Sequence, residues 1–119
     1  MSKPAARVSD SHSCPKKTPA LHHGGTIKAG SPNVSIGDQP AARVGDKITC
    51  DDGSEGVIQH SNACLIINGQ RAARVDDKTD HDGKITSGMS TVKIADGDPF
   101  IEMGDEGIIE IGDHVIFGE

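Results

Sequence analysis

Residues 40–44 read PAARV, and this pentapeptide decides the fold because it occurs three times. It is also present at residues 4–8 and returns as RAARV at residues 71–75. We call these copies motif 1 (4–8), motif 2 (40–44) and motif 3 (71–75). Their arginines lie 36 and 31 residues apart. Tandem units of this size are too small to bury an apolar face alone, so they must pack on one another.

The similarity between the three units extends beyond the pentapeptides. Each motif is followed by a polar pair that ends in aspartate, at Asp10, Asp46 and Asp77. Seven residues after each arginine comes a residue that can bind a metal: Cys14, Cys50 and His81. Equivalent isoleucines follow at Ile27, Ile58 and Ile85. Because equivalent ligands in three copies meet at a common axis, we expect the units to close around a pseudo-threefold axis.

Each unit also contains a stretch in which apolar residues alternate with polar ones. These stretches are SPNVSIGDQ (31–39), NACLIINGQ (62–70) and MSTVKIADG (89–97). Alternation closed by Gly, Asn or Asp predicts short strands that end in turns, with the glycines at positive φ. No window has the 3.6-residue apolar period of a helix between its Gly and Pro breaks. The sequence therefore predicts an all-β fold.

Composition and charge exclude several function classes. With 119 residues the chain fits one small domain. Its formal charge of −6 argues against binding to nucleic acid or anionic membranes, which requires a stripe of basic residues. No apolar run near the start has the pattern of a signal peptide, so we expect export without one. Three cysteines and six histidines favour metal ligation over a disulfide framework.

The strings KPAARVSDSHSCP, LHHGGTI, GSPNVSIGDQPAARVGD and INGQRAARVDD closely resemble the PAAR-repeat family over roughly residues 3–97. The positions that match its motif are Pro4, Ala5, Ala6, Arg7, Pro40, Ala41, Ala42, Arg43, Ala72, Ala73 and Arg74. The resemblance implies a compact cone of three short β-hairpin repeats with internal pseudo-threefold symmetry around a metal-stabilised tip.

The resemblance also implies a function. PAAR proteins form the sharp tip on the blunt end of a trimeric β-helical spike in type VI secretion systems and contractile phage tails. The spike is similar to valine-glycine repeat protein G. We therefore expect a structural, non-enzymatic monomer that sits on a trimer and aids membrane puncture and effector delivery. It would be made in the bacterial cytoplasm and secreted on the spike, or carried at the tip of a virion tail.

The family holds one structural zinc ion through three histidines and a cysteine. The matching set here is His12, His23, Cys50 and His81, with Cys14 as the alternative to His12. Four protein ligands in a tetrahedron leave no position for water, so no hydrolysis is expected. Metal would stabilise a narrow tip that can bury little apolar area.

Two other functions remain open from the sequence. A small zinc hydrolase would need an open coordination position and a base such as Asp51, Asp52 or Asp82. A PAAR adaptor would instead dock a separate effector, and the last residues could take part. We predict a PAAR-repeat domain over 1–98 and a C-terminal β extension over 99–119, in which GIIEIGDHVIFG has the pattern of one hairpin.

The remaining candidates have structural interpretations. Cys64 is expected as a buried thiol in a strand, and His22, His60 and His114 as solvated histidines. The motif arginines either face solvent or pair with the aspartate three residues on. The strand residues Val34, Ile36, Ile66, Ile67, Val92 and Ile94 are expected to divide between the core and a flat base that meets the spike.

Overall fold

The computed structural model describes residues 2–13, 24–50, 53–80, 83–98, 101–104, 109–111 and 116–117. Every regular element in these stretches is a strand, which confirms the predicted all-β class. None of them contains a helix that could cross a membrane. The radius of gyration, 13.5 Å, is that of a compact domain of this length.

The strands are short and follow the alternating segments of the sequence. In chain order they are β1 (Ser2–Ala5), β2 (Ser11–His12), β3 (Gly25–Ile27), β4 (Val34–Ile36), β5 (Gln39–Pro40), β6 (Lys47–Cys50), β7 (Glu55–His60), β8 (Leu65–Ile67), β9 (Gln70–Arg71), β10 (Lys78–Thr79), β11 (Met89–Ala95), β12 (Ile101–Met103), β13 (Ile109–Ile111) and β14 (Ile116–Phe117).

Five of these strands form one antiparallel sheet in the order β10-β7-β6-β3-β2. Side chains alternate between buried and exposed along it, as in β6, where Ile48 and Cys50 are buried and Lys47 is exposed. This alternation is expected for a sheet with one face on the core. The sheet connects segments that follow each of the three motifs.

The other strands form three short sheets, each built on an antiparallel pair that leads into one motif. The pair β4–β5 precedes motif 2, and β8–β9 precedes motif 3. The equivalent pair for motif 1 is β1 with β11, so the last alternating segment returns to the beginning of the chain. A strand of the C-terminal segment completes each sheet.

Two-residue turns join the strands of the two local hairpins. Gly37 and Asp38 have φ of 54° and 70°, and Asn68 and Gly69 have φ of 52° and 83°. Two consecutive positive φ values define the turn that matches the right-handed twist of a hairpin, and Gly, Asn and Asp tolerate them best. The prediction of positive φ at these glycines and at Gly97 is confirmed.

Two apolar cores lie on either side of the motifs. The first lies against the short sheets and contains Ala5, Val34, Ile36, Ala41, Ala63, Cys64, Leu65, Ile67, Ala72, Val92, Ile94, Ala95 and Ile111. The second lies against the five-stranded sheet and contains Ala6, Ile27, Ala42, Ile48, Ile58, Ala73 and Ile85. The aligned Ile27, Ile58 and Ile85 thus share one core. Of the six strand residues expected to divide between core and base, all but the partly buried Ile66 are buried in the first.

The predicted C-terminal hairpin is wrong. The segment does contain two strands, but β13 pairs with β4 and β14 pairs with β11, both in parallel, and they belong to different sheets. Alternation in the sequence identifies a strand without naming its partner, and here strands already present in the repeats supply open edges. The boundary between residues 98 and 99 stays a prediction.

Candidate functional site

Backbone hydrogen bonds join the three motifs in a closed cycle, which we call the alanine ring. The N–H of Ala6 donates to the carbonyl of Ala73 at 2.9 Å, that of Ala73 to Ala42 at 2.9 Å, and that of Ala42 to Ala6 at 3.0 Å. A second cycle runs in the opposite sense, in which Val8 donates to Pro40, Val44 to Arg71 and Val75 to Pro4, each at 2.9 Å. Each motif therefore contacts both others through equivalent atoms.

The ring explains why the motif contains two adjacent alanines. The first of each pair, Ala5, Ala41 or Ala72, lies in the first core, and the second, Ala6, Ala42 or Ala73, lies in the second core. All six are at most 1% exposed. Three segments of the chain that meet this closely leave room only for small side chains, because interiors are packed to crystal-like density.

Each motif arginine contacts the end of the short sheet that leads into the following motif, and the arginine of motif 3 contacts the sheet of motif 1. Arg7 Nη1 lies 3.5 Å from the Gly37 carbonyl oxygen, and Arg43 Nη1 donates to Asn68 Oδ1 at 3.1 Å. Arg74 Nη1 donates to the Ile94 carbonyl at 3.1 Å and to Asp96 Oδ1 at 2.6 Å. The arginines thus join each motif to a short sheet from another unit.

Each arginine also pairs with the aspartate three residues on, so the solvated alternative is wrong. Asp10, Asp46 and Asp77 accept the backbone N–H of their arginine at 2.7–2.8 Å. The side-chain ion pairs measure 3.1 Å for Arg7, 2.8 Å for Arg43 and 3.7 Å for Arg74. The carboxylates therefore fix the turn after each motif through both backbone and side-chain contacts.

The third unit departs from this pattern. Arg74 is 1% exposed and binds Asp96 more closely than Asp77, and its Nε has no hydrogen-bond partner among the described residues. Burial raises the pKa of Asp77, while the hydrogen bond from Arg74 lowers the pKa of Asp96. The shortest charge contact of this unit therefore joins motif 3 to the residue that follows β11.

Two predicted zinc ligands lie across one strand from each other in the five-stranded sheet. His12 is paired with Gly25, and Gly25 is paired with Cys50. Directly opposed residues project to the same face, and two strand spacings separate the Cα atoms by about 9.5 Å. His12 is 3% exposed and Cys50 is 5% exposed. One imidazole and one thiol therefore lie buried on the same face of the sheet, with the glycine strand between them.

Glycines allow the described residues that border the three predicted ligand loops to approach one another at this end of the sheet, which we call the loop end. A Cβ atom on Gly24 would lie 2.5 Å from the His12 carbonyl oxygen, and one on Gly25 would collide with that of Thr49. A Cβ atom on Gly83 would collide with the carbonyl oxygen of Ser13. Because only glycine permits such backbone approach, the segments that border residues 14–23, 51–52 and 81–82 meet in one place.

The ring of His12 is oriented by the backbone. Its Nε2 lies 2.8 Å from the Thr49 carbonyl oxygen, and its Nδ1 lies 3.1 Å from that of Ser13. A neutral imidazole has one N–H, so it can donate to one of the two carbonyls while the other nitrogen presents a lone pair. Zinc-bound histidines usually donate one N–H to a carbonyl and bind the metal through the other nitrogen. Here the other nitrogen also faces a carbonyl oxygen, so a metal ion could bind His12 only if the ring or one of these carbonyls moved.

The other predicted ligands, Cys14, His23 and His81, lie outside the described residues, as do Asp51, Asp52, Asp82, His22 and His114. Within the described stretches, no three His, Cys, Asp or Glu side chains come together as a metal site. His60 is exposed, as expected, and Cys64 is a buried thiol in the first core, one residue before β8. The ligand set of His12, His23, Cys50 and His81, or Cys14 in place of His12, stays a prediction.

Sequence reasoning missed the partners of the arginines. The sequence predicted only turns at Asn68 and Asp96. Asn68 follows the aligned Ile67 by one residue, whereas Asp96 follows the aligned Ile94 by two, so the repeat alignment does not mark them as equivalent. The repetition inside the C-terminal segment, IEMGD at 101–105 and IEIGD at 109–113, was also missed.

The chain was compared with known proteins. A model of the PAAR motif matches residues 17–87, which is more than half of the chain. The match includes motifs 2 and 3 and the segment with His23, Cys50 and His81. Proteins with this motif are structural spike-tip proteins of contractile secretion and phage-tail machines. No curated protein sequence has significant similarity to the chain.

Proposed function

The chain belongs to the PAAR-motif family, and we propose that it is the non-enzymatic tip of a trimeric β-helical spike in a contractile injection machine. One copy would bind the blunt end of a valine-glycine repeat protein G-like trimer and complete it as a cone with pseudo-threefold symmetry. Such a tip would travel with the spike from the bacterial cytoplasm, or at the end of a phage tail, and aid membrane puncture and effector delivery.

The observation that carries the proposal is the alanine ring. Its three hydrogen bonds join equivalent atoms of the three motifs in a closed cycle, at 2.9–3.0 Å. The arginine contacts link the same three units in the opposite sense, from motif 1 to the sheet of motif 2, from motif 2 to that of motif 3, and from motif 3 to that of motif 1. A single chain with three equivalent sides has the geometry to match three identical chains, which a monomer without internal repetition lacks.

We propose that one structural zinc ion supports the loop end, held by His12, His23, Cys50 and His81, with Cys14 as the alternative to His12. The burial of His12 and Cys50, and the close approach of the residues that border the three loops, support this assignment. When bound, zinc would crosslink segments that have little apolar area to bury. Metal binding contributes on the order of 10 kcal/mol to the folding of small zinc domains.

Stoichiometry tests the proposed function. The purified full chain is mixed with the purified trimeric valine-glycine repeat spike protein of the same organism, and the complex is weighed by native mass spectrometry. We expect one chain per trimer and no binding to the separated spike monomer. Three chains per trimer would contradict the proposal, because each spike chain would then have an independent site, and so would a complete absence of binding.

A further inference from the structure

The C-terminal segment passes all three short sheets in turn and adds one strand to each. The strand β12 pairs with β8, β13 with β4 and β14 with β11, and all three pairings are parallel. Within the described residues, each added strand is the outermost of its sheet. We call β12, β13 and β14 the tail strands; together they put one further strand on every side of the molecule.

The tail strands occupy equivalent registers. Met103 is paired with Ile67, Ile111 with Ile36 and Phe117 with Ile94, and these three partners are the aligned apolar residues of the three repeats. The sequence has the corresponding pattern, IEMGD, IEIGD and IFGE, in which an apolar strand is followed by glycine and an acid. The segment is therefore a repeat of its own, with one short unit for each side.

The backbone of the tail strands points alternately toward and away from the repeats. The carbonyls of Met103 and Ile111 accept the N–H of Asn68 and of Gly37, both at 2.9 Å. Successive residues of a strand direct their N–H and C=O groups to opposite sides, so those of Glu102 and Glu110 face the outer edge. An outer edge of this kind can accept another strand.

The charge of this segment limits what can bind there. Residues 99–119 contain six acidic residues and no lysine or arginine, so their formal charge of −6 equals that of the whole chain. The other 98 residues are balanced. If two copies of this chain paired through these segments, two formal charges of −6 would repel each other. Short, charged edge strands are a usual protection against such self-association. A partner with basic residues at its contacting end would be attracted.

We propose that the tail strands are the docking layer for the spike: each chain of the trimer adds one strand to the outer edge of β12, β13 or β14, and basic residues at the spike end face the acidic segment. This inference rests on the proposed function and assigns the contact to the C-terminal segment instead of the hairpins. Three open edges in equivalent registers fit three identical strands, whereas an effector with one binding surface would use only one of them.

Position-specific crosslinking in the full chain tests the docking layer. A photoreactive amino acid replaces Glu102, Glu110 or, as the control, Glu55 of the five-stranded sheet, and each variant is irradiated with the purified spike trimer. We expect adducts with the spike from positions 102 and 110 and none from position 55. Adducts from position 55 alone, or between two copies of this chain, would overturn the inference.

Backbone and charge variants provide a second, independent readout. The double variant Glu102→Pro with Glu110→Pro removes two outward N–H groups without touching the bonds to β8 and β4, so it should bind the spike roughly tenfold or more weakly. The double variant Glu102→Gln with Glu110→Gln keeps the backbone and should weaken the dependence of binding on salt concentration. Melting curves verify that both variants remain folded.

The outcomes separate the two levels of the proposal. If the wild-type chain does not bind the spike, the proposed function and the docking layer fail together. If the wild type binds as one chain per trimer while the proline and glutamine variants bind with unchanged affinity and salt dependence, the spike-tip function stands and the docking layer is wrong.

Discussion

The backbone N–H of Ala42 donates a hydrogen bond to the carbonyl oxygen of Ala6 at 3.0 Å and so joins two copies of one pentapeptide. The residues are 36 positions apart in the chain, yet each copy meets both others through the same atoms. The alanine ring is therefore the structural reason for the repetition: side chains at these positions face neighbours from all three units.

Enlarging an alanine of the ring should destabilise the whole molecule. We expect Ala42→Leu to lower the free energy of unfolding by about 1–3 kcal/mol, because the second core has no space for three added carbon atoms. Thr26→Leu on the exposed face of β3 is the control and should change stability little. Urea denaturation measures both, and equal effects would show that the ring is not tightly packed.

Removing a motif arginine should lower the free energy of unfolding far more than removing an exposed lysine. Arg43→Met breaks the contacts with Asp46 and Asn68 and leaves a largely buried carboxylate, so a loss of about 2–3 kcal/mol is expected. Lys28→Met breaks only the exposed pair with Glu55, and little change is expected. Denaturation curves that coincide for the two variants would contradict the locking role of the arginines.

The pair of Arg74 and Asp96 should make stability depend on pH. Its hydrogen bond lowers the pKa of Asp96 below 3.8 in the folded state, so this contribution is present above pH 3.8 and disappears as the pH falls through the folded pKa. We expect Asp96→Asn to be less stable than the wild type at pH 7, and this difference in the free energy of unfolding to shrink as the pH falls below 3.8.

The difference in the free energy of unfolding between the wild type and Asp96→Asn measures the contribution of Asp96. Burial raises the pKa of Asp77, which therefore acts in the opposite direction and destabilises the folded state once it is ionised. Asp77 shares Arg74 with Asp96, so the comparison is repeated in an Asp77→Asn background, with urea denaturation at each pH. A stability difference that is constant between pH 2.5 and 7 would exclude the assigned role of Asp96.

Metal content should distinguish the two buried thiols. Elemental analysis of the purified chain is expected to give one zinc per molecule, and Cys50→Ser should lose the metal and melt at a lower temperature. Cys64→Ser is the matched control, since Cys64 is also buried but lies in the first core. It should retain the metal.

Two further variants identify the ligand in the first loop. Loss of zinc in His12→Ala with retention in Cys14→Ser supports the set of His12, His23, Cys50 and His81, and the reverse result places Cys14 in the shell. A wild-type protein without stoichiometric metal, and with a melting temperature unaffected by chelator, would remove the zinc proposal and leave the alanine ring unaffected.

The all-β class, the three repeats and the hairpin turns could be predicted from the sequence because they depend on local chemistry. Alternating apolar residues specify strands such as β4 and β8, and the dipeptides at 37–38 and 68–69 tolerate the positive φ of a tight turn. The aspartate three residues after each arginine is near enough in the chain for its pairing to be anticipated.

Only the tertiary structure decided which segments meet. The return of β11 to β1, the choice of Asn68 and Asp96 as arginine partners, and the assignment of β13 and β14 to different sheets each join residues more than twenty positions apart. Strand edges and charged groups have many possible partners in a chain of this composition. The choice among them depends on how the three units pack around the alanine ring, and no single segment contains that information.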